Sequence, residues 1–526
     1  MAETAPKKDS SPSPASNDST LGSSSSTKAT YKEIIATQSQ ELVIALCGPI
    51  GSGIRGVNTQ LERVLKDEGY VVHQVRVSNK LTELYGKDST SKPIDELNKA
   101  NRYSSLMDVG DKLRHDRGLD IGATLAIHEI ALIRFADAAS QPEVEKHQDT
   151  GLIKRAYIID QLKHPSEVKL LKETYRGIFY LVGVLCDEER REISLTSEGM
   201  DRKRAQELIS RDKKDNINHG QQLEKTLSDA DFFINNSDPN SSTVSALFSR
   251  FFKLLHGGRG VTPTKHEIGM YSAYSSSMQS ACLSRQVGAA IVDAEGNLLA
   301  TGRNDVPKFG GGLYSEDDNT FPNSADYRCV HREQRCQNDK HKHLLKDKVH
   351  EVLSSALKGV SVEETKEIVE KIYNETPMKS LIEYSRAIHA EMDALISLVR
   401  KGKAINAGAI LYTTTYPCHS CARHIIAAGI SKVVYIEPYE KSLALKLHDD
   451  ALCNSGNSNK VQLVPFQGIS PKRYQVFFSN TSPKKDNLGH IILTDRDDQR
   501  HVDKEFVSSY LEKEAKVAEK LLAELE

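Results

Sequence analysis

From about residue 40 to 255 the chain alternates short apolar runs with stretches whose apolar positions recur at helical spacing. ELVIALC, VVHQVRVS, AYIID, GIFYLVGVLC and DADFFINNS read as strands, with VNTQLERVLKDEGY and PSEVKLLKETYR as helices among them. Strands alternating with helices predict a parallel sheet covered on both faces. Gly and Pro in HGGRGVTPTKH, residues 256–266, break the pattern and read as a linker. After it, QVGAAIVDAEGNLLATGR sets two apolar runs around the turn signal DAEGN, which predicts a β-hairpin. Residues 313–350 are polar, rich in Cys and His, and expected to be an irregular insertion. Helical patterns occupy about 349–373 and 390–401, and AILYTTTY, CHSCARHIIAAGI and KVVYIEPY then read as strand, helix, strand in a right-handed crossover.

These patterns divide the chain into a Ser-rich tail expected to be disordered (1–39), a first α/β unit (40–255), the linker (256–266), a second α/β unit (267–480) and a helical tail (481–526). In that last tail Phe506, Tyr510, Val517 and Leu521 fall near helical spacing, so it is expected to pack on a domain or to serve a homo-oligomer contact.

Composition narrows the function. With 38 % hydrophobic and 27 % charged residues and a mean hydropathy of −0.47, the chain reads as soluble and globular. No apolar run approaches the roughly 20 residues needed to span a bilayer. The N-terminus lacks the apolar core of a secretory signal, so a cytoplasmic location is expected, with a transit peptide as the lesser alternative. A net charge of −2 argues against a broad basic face for nucleic acid. Eight cysteines are sparse for this length, and Cys418-x-x-Cys421 in a reducing compartment suggests metal binding or redox chemistry.

The sharpest chemical signal is IHAEMDAL followed by YPCHSC. His389, Cys418 and Cys421 make three ligands for Zn2+ and leave a fourth position open, the catalytic rather than the structural arrangement. Cys418 and Cys421 would lie on one side of a helix's first turn, and Pro417 suits its start. Residues two apart on a helix point about 200° apart, so His389 and Glu391 share a pocket only if His389 sits at the helix entry. A zinc ion with an open position makes a nucleophile of water at neutral pH. Glu391 is then the proton carrier. His-x-Glu with Pro-Cys-x-x-Cys is the signature of zinc nucleobase deaminases; a structural zinc clip and a redox dithiol are the plainer readings.

CLSRQVGAAIVDAEGNLLATGRNDVP, HAEMDAL and LYTTTYPCHSCARHIIAAGISKVVYIEPY, in that order, resemble a deoxycytidylate deaminase from about residue 265 to 480. The resemblance implies a cytidine deaminase-like α/β/α fold and loss of ammonia from C4 of a deoxycytidine nucleotide. It makes His389, Cys418 and Cys421 the zinc ligands and Glu391 the proton shuttle, and Asn304 matches the family's sugar-holding Asn. In GRNDVP, Arg303 replaces a Tyr and Asp305 a Gly, so Arg303 is a candidate for a longer phosphate chain. Arg285 is a second phosphate candidate, or else a surface Arg in an ordinary ion pair. Some family members carry a second zinc with ligands at other spacings; here Cys329, His331, Cys336, His341 and His343 offer either a closed Cys/His site or a flexible basic loop. Editing deaminases that act on polynucleotides share the metal motif but need a basic, aromatic groove, and this chain has no Trp.

One motif remains in the first unit. LVIALCGPIGSGIRG runs from a strand into a glycine-rich turn in the manner of a P-loop, predicting a P-loop NTPase-like sheet domain ahead of the deaminase. Gly48, Gly51, Ser52 and Gly53 keep the backbone freedom that cradles phosphate. Ile54 and Arg55 stand where Lys and Ser or Thr belong, so phosphoryl transfer is expected to be weak. Asp160, at a strand end, suits either a metal-binding acid or a helix cap. A P-loop unit followed by this deaminase resembles the anti-phage deoxycytidine nucleotide deaminases of bacteria. That resemblance implies destruction of the dCTP and dCMP pool when a phage replicates, silenced in some systems by a small RNA. One reading is then a regulated deaminase whose front domain senses a nucleotide, an RNA or a phage signal. A bifunctional salvage kinase and deaminase is the alternative, and a deaminase fold used only as a scaffold is a weaker third.

Overall fold

The computed structural model describes residue 34 and residues 37–87, 99–140, 153–213, 220–258, 260–320, 325–439, 442–454, 456, 459–479, 485–492 and 501–525. Most of the Ser-rich tail lies outside these residues.

Two six-stranded sheets carry the chain. In the first, β1 (Leu42–Cys47) lies between β3 (Arg155–Ile159) and β4 (Phe179–Leu185), with β2 (Val71–Val75) outside β3 and β5 (Phe232–Asn235) outside β4, all parallel. Every residue of β1, β3 and β4 is buried, which is why these strands read as continuous apolar runs. Along β1, Val43, Ala45 and Cys47 join one core cluster and Leu42, Ile44 and Leu46 the other, so helices on both faces are served by one period-two strand. Asp160 accepts the N–H of Val77 at 3.0 Å, capping the start of the 77–87 helix.

The second sheet begins with the antiparallel hairpin β6 (Gly288–Val292) and β7 (Leu298–Arg303). β8 (Ile410–Thr415) is antiparallel to β6, and β9 (Lys432–Glu437), β10 (Leu452–Cys453) and β11 (Val461–Pro465) continue in parallel. The mixed α/β class and the strand, helix, strand crossover at 410–437 are therefore present. The two sheets do not have separate interiors: Ala290, Tyr412 and Val434 share a cluster with Val43, Leu181 and Phe233.

Residues beyond the second sheet return to the first. β12 (Gly468–Ile469) pairs antiparallel with Phe232 and Phe233 of the first sheet, although it falls within the 267–480 segment. The C-terminal helix, residues 507–525, packs on the 121–140 and 165–175 helices of the first unit. A buried ionic cluster pins it there. Arg134 pairs with Glu41 at 2.8 Å and with Glu514, Tyr175 donates to Glu514 at 2.8 Å, and Tyr510 donates to Glu41 at 2.9 Å.

The insertion is not irregular throughout. Residues 337–356 form a helix, and the expected 349–373 helix is interrupted at Gly359 before a new one at 362–375. The restart is local chemistry: Ser361 and Glu364 form a reciprocal capping box.

Arg134→Met takes the cation from the buried Glu514 and leaves Glu41 to Arg155, 3.7 Å away, and is expected to cost about 3–5 kcal/mol in urea denaturation. Tyr510→Phe, which removes one hydroxyl, should cost about 1 kcal/mol. Equal midpoints for Arg134→Met and the unaltered protein would show that this cluster does not hold the C-terminal helix.

Candidate zinc and substrate site

Two helices start at one point. His389 is the N-cap of the 390–400 helix, with extended backbone (φ −78°, ψ 152°), and Cys418 is the N-cap of the 419–427 helix (φ −72°, ψ 166°). The entry position for His389 is thus present. Sγ of Cys418 and Sγ of Cys421 lie 3.4 and 3.3 Å from Nδ1 of His389. Among the described residues this trio is the one group of three His, Cys or acidic side chains able to hold a metal ion, its ligand atoms all within 4.8 Å of each other. Glu391, 4 % exposed, receives a hydrogen bond from Cys421 Sγ at 3.4 Å.

The electrostatics suit a cation. A hydrogen bond from Cys421, reinforced by His389, pulls the Cys418 thiol down to about 4, so it is a thiolate, the form that ligates metal. Burial raises the Glu391 carboxyl above its ordinary value, against the pull of His389. A carboxyl with a raised pKa exchanges protons more readily near neutral pH.

Close packing sets the geometry. β7 crosses the 390–400 helix at Gly302, where a Cβ would overlap Ala394 N and Ala390 O. Arg303 N donates to Asp393 Oδ2 at 3.0 Å, one residue further along the same strand. Any larger residue at 302 must push the helix, and His389 with it.

His389, Glu391 and Cys418 face a cavity of about 330 Å3. Asn304 and Arg285 both line it. Asn304 Oδ1 accepts Val287 N at 2.7 Å and Nδ2 donates to Arg285 O at 2.8 Å, so its amide clamps the turn that presents Arg285. Arg303 does not line the cavity: its guanidinium donates to Gln279 Oε1 and to Tyr314 O, each at 3.0 Å, and so holds the 304–314 loop. Tyr416, Tyr439 and Asn338 also line the cavity and were not singled out from the sequence. Asn338 comes from the insertion, anchored by a 2.9 Å bond to Leu381 O.

Cys329, His331, Cys336 and His341 do not gather as a ligand group. His331 lies 3.4 Å from Asp326, Cys336 meets Ser284 at 3.6 Å, and His341 packs against Tyr384, because the helices at 329–332 and 337–356 carry them apart. The glycine loop Gly48, Gly51, Ser52 and Gly53 follows β1 and opens the 54–67 helix, on the other sheet. No helix among the described residues is long and apolar enough to cross a membrane.

This arrangement defines a zinc-binding region of the nucleobase deaminase kind. A model of the cytidine and deoxycytidylate deaminase zinc-binding region matches residues 263–437. Deoxycytidylate deaminase of Enterobacteria phage T4 is 33 % identical over 189 residues, 35 % of this chain and 82 % of the phage protein. That of Enterobacteria phage T2 is 30 % identical over 184 residues, 35 % of this chain and 85 % of its own. The crystal structure of dCMP deaminase from the cyanophage S-TIM5 in complex with dCMP and dUMP covers 39 % of this chain and 98 % of that one, at 19 % identity and a TM-score of 0.21. The chain belongs to the deoxycytidylate deaminase family, through its second half, and its cofactor is Zn2+.

Gly302→Ala should displace the helix entry and lower bound zinc, measured by elemental analysis, while costing about 1–3 kcal/mol of stability. Full zinc occupancy in that variant would mean the strand–helix contact does not set the site.

Proposed function

We propose that this chain deaminates deoxycytidine nucleotides by zinc-dependent hydrolysis, converting dCMP, dCTP or both to the deoxyuridine nucleotide and ammonia, under regulation by its first α/β unit. The observation that carries this reading is Glu391 buried against the His389, Cys418 and Cys421 trio at the wall of one cavity. Zn2+ at that trio supplies a Lewis acid that activates water at neutral pH. Glu391 takes a proton from the water and delivers it to the amine; the new bond is from oxygen to C4, the broken one from C4 to the exocyclic nitrogen. Asn304 and the turn it clamps meet the sugar, and Arg285, half exposed and in a 3.9 Å ion pair with Glu437, turns to meet phosphate.

The first unit enters as a sensor on its sequence and on one structural pattern, a strand, a glycine loop and a helix in succession at 42–67. Without Lys in the loop or a Ser or Thr for Mg2+, transfer of phosphate is disfavoured against detection of it. By resemblance to two-part bacterial enzymes, the consequence in the cell is depletion of dCTP when a phage replicates, with a nucleotide or a small RNA as the regulatory partner.

Glu391→Ala should keep zinc yet lose about 10²–10⁴-fold in deamination, followed as cytosine absorbance on dCMP, dCTP, CTP and single-stranded DNA. Persistent turnover in that variant refutes the mechanism, and a preference for DNA over nucleotides replaces it with a polynucleotide deaminase. For the defence reading, mass spectrometry of infected cells should show dCTP falling as dUMP rises; a steady dCTP pool removes it.

A further inference from the structure

The glycine loop holds an anion of its own. Asp212, fully buried, accepts the N–H of Ile50 at 2.6 Å through one carboxylate oxygen. Its other oxygen accepts Lys163 Nζ at 2.7 Å, and the same Nζ donates to Gly48 O at 3.1 Å. A carboxylate on a loop amide, neutralised by a lysine at the loop's first residue, is the pattern that a phosphate would make in a P-loop. The lysine missing from the loop's sequence is thus present in space, delivered from the segment that follows β3.

The rest of the loop is closely packed and leaves one buried polar atom without a partner. Gly51 and Gly53 both take left-handed φ (77° and 76°), and Arg191 O lies only 2.8 Å from where a Gly51 Cβ would stand. Gly53 is the N-cap of the 54–67 helix and supplies no side-chain cap. Ser52, 2 % exposed, aims its hydroxyl into the loop towards Gly48, and that oxygen has no hydrogen-bond partner among the described residues. A buried hydroxyl without a partner beside a helix N-terminus is a donor in want of an acceptor.

Asp212 lies near the end of the 202–213 helix, which packs beside the loop. The 188–197 and 202–213 helices pack on each other, and Leu195, Met200, Leu208 and Ile209 enclose Ile50 in a cluster distinct from the cores on either face of the sheet. Withdrawing Asp212 therefore disturbs this small cluster and the bonds from Arg204 to Ser104 and from Arg211 to Asp108, and touches neither main core.

We propose that the glycine loop is a phosphate site whose resting occupant is the Asp212 carboxylate, and that a nucleoside triphosphate enters by exchange for it, met by Lys163. The proposal rests on the reading of the first unit as a nucleotide sensor. ATP is the probe, because a purine does not compete for a pyrimidine site. Calorimetry on the full-length zinc-loaded protein should show ATP binding at least tenfold tighter to Asp212→Asn than to the unaltered chain, and the gain should vanish when Lys163→Met is added. Equal or weaker binding by Asp212→Asn of full zinc content overturns the proposal. Should that variant fail to fold, hydrogen exchange on the unaltered protein at millimolar ATP decides instead: protection should rise at 48–55 and fall at 202–212, and no change in either segment overturns the exchange. The rate of dCMP deamination with and without ATP is read separately. A constant rate alongside demonstrated binding refutes the sensor reading and leaves the phosphate site standing.

Discussion

The deaminase half depends on two helices beginning at one place. His389 and Cys418 are both N-caps, and their side chains meet within 3.4 Å. Helix N-termini carry partial positive charge, which favours the Cys418 thiolate and the buried Glu391 carboxylate that would otherwise be costly to bury. The sheet provides the means. β7 approaches the 390–400 helix closely enough to exclude a Cβ at residue 302, and β8 runs straight into the 416–418 turn. Those strands serve as a jig for one histidine, two cysteines and one glutamate.

The first unit borders that jig instead of standing apart from it. Tyr416, two residues before Cys418, packs edge-on against Tyr435 with ring centroids 4.9 Å apart. Tyr435 in turn lines a small cavity of about 60 Å3 together with Pro49 of the glycine loop, Cys186 and Arg191. Glycine loop, Tyr435, Tyr416 and Cys418 are therefore successive neighbours. The chain's end adds a second tie, since the 507–525 helix and β12 both complete the first unit after the second has been built. Neither unit's packing is finished without the other's part of the sequence.

What could be read from the sequence was whatever is local. The five parallel strands of the first sheet, the 288–303 hairpin and the crossover at 410–437 announce themselves by period and turn residues. The zinc trio was legible because its spacing is fixed by helix geometry, and the conflict between His389 and Glu391 even indicated where the helix had to begin. Side-chain direction was not legible. Arg303 looked like a phosphate ligand on charge alone, yet two neutral acceptors, Gln279 and Tyr314, turn it away. The Cys and His residues at 329–341 had the right chemistry in the wrong positions, because helices separate them. Nor does periodicity reveal that a tail near residue 510 completes a core begun near residue 41.

The glycine loop is the clearest case of a motif split between sequence and space. Judged along the chain, it lacks its lysine; judged in three dimensions, Lys163 reaches Gly48 O and is already neutralised by Asp212. That pairing has an energetic consequence. Expelling Asp212 without replacement would strand a largely buried ammonium, which is expensive. Replacing it with a phosphate keeps the lysine paired throughout, and the phosphate offers more negative charge and more acceptor oxygens than the carboxylate it displaces. Exchange of one anion for another thus costs less than expulsion of Asp212 alone, because the lysine is never left buried and unpaired.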